Sequence, residues 1–249
     1  MINQIERRSF IFEILLDYNM NFFEKIMFKI LKANSYLLKS NDYDLAHQFR
    51  KQEVKESMKF VDEHMPNALC FDASPKERLL DYALSKIKKG TLLEFGVRHG
   101  ESIRYIANKL KDRKIHGFDS FEGLPEDWTG NAFSQNDFTL NGKMPQVPEN
   151  VILHKGWFDK TISEYNKKHD DDIAFINLDC DIYSSTKTVF DELVDKIKKD
   201  TIILIDDFFN YRNWKQHQYK AFQEFVDEYQ IKFEYLAFNG KHGVCIRIL

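Results

Sequence analysis

Two periods of apolar and polar residues alternate along most of this chain. Short apolar runs, TLLEFGV, KIHGFD, NVILHKG, IAFINLD and TIILIDD, read as strands. Between them, ESIRYIANKLK, FDKTISEYNKK, SSTKTVFDELVDKIKK and KQHQYKAFQEFVDEY repeat apolar residues at helical spacing. Strands alternating with helices predict a mostly parallel sheet with helices on both faces. The end of the chain, KFEYLAF and VCIRI around NGKHG, reads as two strands joined by a glycine-containing turn. The expected fold is therefore α/β and Rossmann-like, with a C-terminal antiparallel hairpin.

The first part of the chain has a different pattern. Phe10, Ile11, Ile14 and Leu15 recur at helical spacing, as do Phe22, Ile26, Phe28 and Leu31, and glycine is absent until Gly90. This suggests two parts: an N-terminal helical extension over residues 1–70, serving as lid, acceptor-binding segment or dimerisation element, and an α/β domain over residues 71–249. A further helix is expected from Ser74 as N-cap, with Pro75 in its first turn and Glu77 completing a capping box. Lys86, Lys88 and Lys89 fall in its last turn, and Gly90 follows its end. Residues 121–150 carry no periodic signal and form a long connection, a length that often covers active sites.

Composition narrows the function classes. With 249 residues, 43% of them hydrophobic, the chain can bury a full core. A net charge of -3 lacks the basic excess of a nucleic-acid-binding face. The three cysteines, Cys70, Cys180 and Cys245, have no metal-type spacing and suit a reducing compartment. Glu13 interrupts the first apolar run, SFIFEILL, which is too short and too charged for a signal core or a membrane span. The expected location is the cytoplasm, away from membranes, and the expected assembly is a homo-oligomer.

In open α/β sheets, ligands bind beyond the carboxyl ends of the strands. The first strand ends in LLEFGVRHGES. Gly96 lets backbone approach a ligand, Gly100 lets the next helix start close by, and the helix N-terminus favours an anionic group. Arg98 stands where a dinucleotide fingerprint has its middle glycine, which argues against NAD. A tight strand–helix turn without a ligand has the same glycines. The second strand ends at Asp119, whose carboxylate can accept from both vicinal hydroxyls of a ribose or can cap its own loop. Farther on, NLDCDIYSST and TIILIDDF place Asp179 at one strand end and Asp206 and Asp207 at another. Neighbouring strand ends lie about 5 Å apart. Carboxylates that close repel unless protonated, solvated or bridged by a cation. Oxygen-only ligands favour a hard ion such as Mg²⁺. In the plainer reading, Asp207 caps a helix and Asp179 faces solvent.

Together, LLEFGVRHGES, GFDSFEGLPE, NLDCDIYSST and LIDDF resemble the class I S-adenosylmethionine-dependent methyltransferases, and more narrowly the macrocin O-methyltransferase (TylF-type) family, which methylates sugar hydroxyls of natural products. The resemblance covers roughly residues 74–249. It implies that Glu94, Gly96 and Ser102 line the methionine end of S-adenosylmethionine, that Asp119 takes the ribose hydroxyls, and that Arg98, Ser120 and Asp179 complete the cofactor contacts. It implies Gly156 and Trp157 near the adenine, although Trp157 equally suits a buried core position. It also implies Mg²⁺ or a similar divalent cation on Asp179, Asp206 and Asp207, with Asp179 as the base toward a small-molecule acceptor, a sugar hydroxyl.

Catechol-type methyltransferases share this metal layout but usually place a lysine three residues after the first aspartate. Ile182 stands there, which weakens that reading. The same fold could also serve an amine acceptor, or bind a nucleotide without catalysis. Asp181 and Tyr183 either contact substrate or shape a turn, and His217 and Lys215 are candidates for orienting substrate.

Overall fold

The computed structural model describes residues 23–31, 44–73, 75 and 77–249. Phe10, Ile11, Ile14, Leu15, Phe22 and the expected N-cap Ser74 lie outside the described residues. The chain divides into two compact units, Met1–Gln52 and Glu53–Leu249. In the first, residues 23–31 are helical. A further helix, α1 (Leu45–His64), starts where the Asp44 carboxylate accepts the Ala46 N–H at 2.9 Å.

The second unit holds the sheet and both hydrophobic cores. After α1 come β1 (Leu69–Phe71), α2 (Glu77–Lys86), β2 (Thr91–Phe95), α3 (Glu101–Lys109), β3 (Ile115–Asp119), β4 (Val151–Lys155) and α4 (Phe158–Asn166). They are followed by β5 (Ile173–Leu178), α5 (Tyr183–Leu193), β6 (Ile202–Ile205), α6 (Gln218–Tyr229), β7 (Phe233–Asn239) and β8 (Val244–Ile248). The eight strands lie in the order β1-β7-β8-β6-β5-β2-β3-β4. Only β8 runs antiparallel to its neighbours, β6 and β7.

Apolar residues on the two faces of this sheet explain its layering. Phe95, Ile176 and Ile203 face one side and pack with Phe60 of α1, Ile162 of α4, Phe190 of α5 and Phe222 of α6. Leu92, Phe175 and Ile202 face the other and pack with Leu80 and Ala83 of α2 and Ile103 of α3. β5 and β6 are buried along their whole length, as strands covered on both faces must be.

Four differences separate the structure from the pattern-based expectation. α2 ends at Lys86, short of Gly90. Gly90 instead opens β2 at φ +138°, where a Cβ would lie 2.6 Å from the Asp172 carbonyl; its role is a close strand approach rather than a helix cap. The last helix starts at Gln218, because a 3₁₀ turn (Trp214–Gln216) occupies the beginning of the expected helical run. β1, unforeseen, adds three residues parallel to β7. Residues 53–70, grouped by pattern with the N-terminal helices, belong to the sheet-bearing unit, and Phe60 packs edge-on against Trp214 and Tyr219 at 5.5 and 5.4 Å between ring centroids.

Candidate active site

A cavity of about 620 Å³ opens at the carboxyl ends of β2, β3, β5 and β6. At the β2 end the chain turns through Gly96 at φ +90°. A Cβ here would lie 1.7 Å from the Asp179 carbonyl, so only glycine lets the ends of β2 and β5 meet. The Gly96 N–H donates to the Phe118 carbonyl at 3.0 Å and the Asp179 N–H to the Phe95 carbonyl at 2.9 Å, tying β2 to both neighbours. Arg98 then adopts φ 46°, an uncommon conformation for a side-chain-bearing residue, and its N–H donates to the Asp119 carboxylate at 2.7 Å.

Asp119 is thus oriented by backbone. One oxygen accepts from Arg98 and the other from the Phe121 N–H at 2.6 Å. Each carboxylate oxygen has a second lone pair, and Asp119 lines the cavity. Ser120 also lines it, but its hydroxyl is engaged in the turn, donating to the Gly123 carbonyl and accepting from the Glu122 N–H. Glu94 is fully buried and does not itself line the cavity. It accepts from the Ser102 hydroxyl at 2.9 Å and from the Asn177 amide at 3.1 Å, fixing two side chains that do. Asn177 was missed in the sequence, although an amide inside the apolar strand IAFINL is a legible signal. Trp157 lines the cavity and is 40% exposed, so its indole face is accessible rather than core. Gly156 stays outside the lining and donates to the Asp119 carbonyl at 2.9 Å.

At the other end the chain gathers acid. Carboxylate oxygens of Asp179, Asp181 and Asp207 lie within 4.8 Å of one another. Asp206, expected in this group, lines the cavity with Asp179 and Asp181, and Asp181 joins Asp179 and Asp207 in the close group. Asp181 has φ 64°, an uncommon backbone conformation for a side-chain-bearing residue. Burial, then the charge of Asp179, pushes the Asp181 carboxyl up to about 8, with Asp206 contributing, while a hydrogen bond with Asp207 and the charge of Arg98 act against the rise.

The long connection after β3 covers this cavity. Gly123, Leu124, Pro125 and Phe138 line it, and the Arg98 guanidinium sits 4.7 Å from the Phe138 ring centroid. Glu126 accepts from the Ser184 hydroxyl at 2.6 Å. His217 is buried, and its Nε2 donates to the Thr129 carbonyl at 2.9 Å; burial lowers its basicity. It anchors the connection and does not line the cavity, nor does Lys215, which pairs with Glu56 at 2.9 Å. Tyr183 donates to Glu224 at 2.6 Å, also outside the lining. Ile182 is buried as the N-cap of α5.

Residues 93–208, which run from β2 through the acidic ends of β5 and β6, match the methyltransferase domain family Methyltransf_24. The matched domain is that of a methyltransferase, an enzyme, and the solved structures that follow share its fold. Among solved structures, the chain is similar to the calicheamicin methyltransferase CalS11, with 20% identity, a TM-score of 0.60, and coverage of 82% of this chain and 93% of that one. It is also similar to the O-methyltransferase NovP, with 20% identity, a TM-score of 0.52, and coverage of 68% and 75%. A second CalS11 structure, described as a TDP-rhamnose 3'-O-methyltransferase, matches with 19% identity, a TM-score of 0.50, and coverage of 68% and 76%. No curated protein matches the chain. No helix among the described residues is long and apolar enough to cross a membrane.

Proposed function

We propose that this protein transfers the methyl group of S-adenosylmethionine to a hydroxyl of a sugar or sugar-bearing small molecule, assisted by a divalent cation, as in TylF-type enzymes. The observation that carries the reading is the convergence of Asp179, Asp181 and Asp207, of which Asp179 and Asp181 line the same cavity as Asp119 and Ser102 while Asp207 stands behind its lining. Likeness to a calicheamicin methyltransferase and to a TDP-rhamnose methyltransferase supports the acceptor class.

The donor set fits a hard cation. It offers oxygen atoms only, and the rise at Asp181 comes first from burial and then from the charge of Asp179, both of which a bound cation would offset. Asp179, Asp207 and either Asp181 or Asp206 would hold the ion. When bound, it supplies charge stabilisation for an acceptor oxygen that is losing its proton.

The chain's own residues do the rest. Asp119 accepts from the ribose hydroxyls of the cofactor through its free lone pairs, with Ser120 shaping that turn. Gly96, Arg98 and Ser102 border the methionine end, Glu94 holds Ser102 in place, and Trp157 flanks the adenine with Gly156 setting its strand end. The acceptor oxygen attacks the methyl carbon in line with the sulfonium. The new O–C bond forms as the S–C bond breaks, its electron pair stays on sulfur to give S-adenosylhomocysteine, and Asp179 takes the hydroxyl proton.

Activity toward sugar and sugar-nucleotide acceptors should vanish with EDTA and return with Mg²⁺. Chelator-insensitive turnover would remove the cation from the reading, and exclusive methylation of a catechol panel would replace the acceptor.

A further inference from the structure

Asp179 and Asp207 belong to different strands, and the regular pairing of those strands stops before it reaches them. The last β5–β6 rung pairs Leu178 with Ile205, followed by the Asp206 N–H donating to the Leu178 carbonyl at 2.9 Å. Beyond it the two chains become separate loops, yet their carboxylates meet.

One buried side chain from a third element reaches both loops. Gln218, the first residue of α6, is 0% exposed. Its Oε1 accepts the Asp207 N–H at 2.9 Å, on the β6 side. Its Nε2 points the other way, 3.5 Å from the Leu178 carbonyl, 3.4 Å from the Thr186 hydroxyl and 3.7 Å from the Cys180 sulfur. The Thr186 hydroxyl already donates to the Ile182 carbonyl at 2.9 Å, so it receives the amide proton. The contacts on the β5 side flank Asp179 and reach the turn that carries Asp181.

We propose that Gln218 is a positioning residue that sets the separation of the Asp179–Asp181 loop from Asp207 and thereby tunes cation binding. The proposal rests on the cation reading above. A primary amide is the fitting group, because it is an acceptor at one end and a two-proton donor at the other. An ionised carboxylate keeps the bond to Asp207 but loses the donors. A methionine of similar length keeps neither.

The test is Mn²⁺ binding by electron paramagnetic resonance, with Mn²⁺ standing in for Mg²⁺, on wild type, Gln218→Met and Gln218→Glu. S-adenosylmethionine affinity by calorimetry and amide exchange over residues 179–183 and 206–209 accompany it. Loss of a group that orients metal ligands should weaken Mn²⁺ binding by about 10–100-fold in Gln218→Met. Cofactor affinity should stay within about twofold, the scatter expected for a site that is not coupled. Amide exchange should quicken in both segments together. A merely structural glutamine would lower the melting temperature and leave Mn²⁺ affinity and this paired exchange unchanged; a folded Gln218→Met variant behaving so overturns the proposal. If Gln218→Met does not fold, Gln218→Glu decides by the same two readouts. If wild type binds no Mn²⁺, the cation reading falls on its own. Amide exchange then still judges Gln218: paired quickening keeps it as the tie between the loops, and unchanged exchange removes it.

Discussion

The two ends of the cavity are built on different principles. At the β2–β3 end, shape comes from backbone: Gly96 allows two strands to meet, and Asp119 has one bond from a main-chain N–H to each oxygen. At the β5–β6 end, shape comes from holding like charges together: Asp179, Asp181 and Asp207 converge, and the Asp181 proton is retained toward neutral pH. The first end is satisfied by the protein itself and should be formed before anything binds. The second is held against repulsion and should respond strongly to what binds there.

This contrast can be broken at either end. The largest expected effect is at the charged end. Asp179→Asn should lower turnover by about 10²–10⁴-fold, the range for losing a general base, while weakening S-adenosylmethionine affinity much less. Rates and calorimetry on the same preparation check this, and a variant working near the wild-type rate would exclude Asp179 from the chemistry. Next comes Gly96→Ala. Its methyl group would collide with the Asp179 carbonyl, so the backbone end itself must give way. A stability loss on the order of 3 kcal/mol, seen by urea unfolding, is expected with cofactor binding impaired. Ordinary stability in this variant would show that the strand ends can part without cost.

Asp119→Ala is a milder probe of the same end. It should weaken S-adenosylmethionine by about 1–3 kcal/mol, as for hydrogen bonds to a charged group, without affecting the response to Mg²⁺. Equal affinity in the folded variant would take Asp119 out of the cofactor contacts.

The smallest effect serves as a control that belongs to neither end. His116 is buried beside His154, with 2.9 Å between Nδ1 and Nε2, and burial followed by the charge of His154 lowers it from 6.5 to about 4. The folded form therefore sheds a proton that the unfolded chain keeps between those values. Its contribution to stability is complete above pH 6.5 and is lost as pH falls toward 4, at no more than about 1.4 kcal/mol per pH unit. Melting temperature followed from pH 7 to 5 should decline less in His116→Phe than in wild type. Any acid loss of activity above pH 6.5 then belongs to the site rather than to this pair.

Much of the fold was legible because it depends on local patterns. The strands from TLLEF to VCIRI and the helices between them stand close to where periodicity places them. Placement in the cavity was legible where it depends on position in a strand-to-helix turn, as with Gly96, Asp119 and Asp179, all of which line it. What escaped depends on contacts distant in the chain. Nothing in QHQYK distinguishes Gln218 from a solvated helix start; its burial follows from the crossing of α6 over the ends of β5 and β6. That Asp181 joins Asp179 and Asp207 is not encoded by spacing, and residue 181 takes the unusual φ of 64° there. His217 reads as a candidate substrate contact because nothing local reveals that Thr129 lies against it. β1 escaped because three residues, LCF, are too short to carry a period.

That short strand has a consequence for solubility. A bare sheet edge offers unpaired N–H and C=O groups to any passing extended chain, and β7, with its run FEYLAFN, would be an inviting template. β1 occupies Ala237, Phe238 and Asn239 of that template and presents in its place only three residues of its own. The beginning of β7, which no strand among the described residues pairs on that side, includes Glu234, whose carboxylate is joined to Arg247 of β8. Intermolecular strand addition is thus discouraged by length along one half of the edge and by charge along the other.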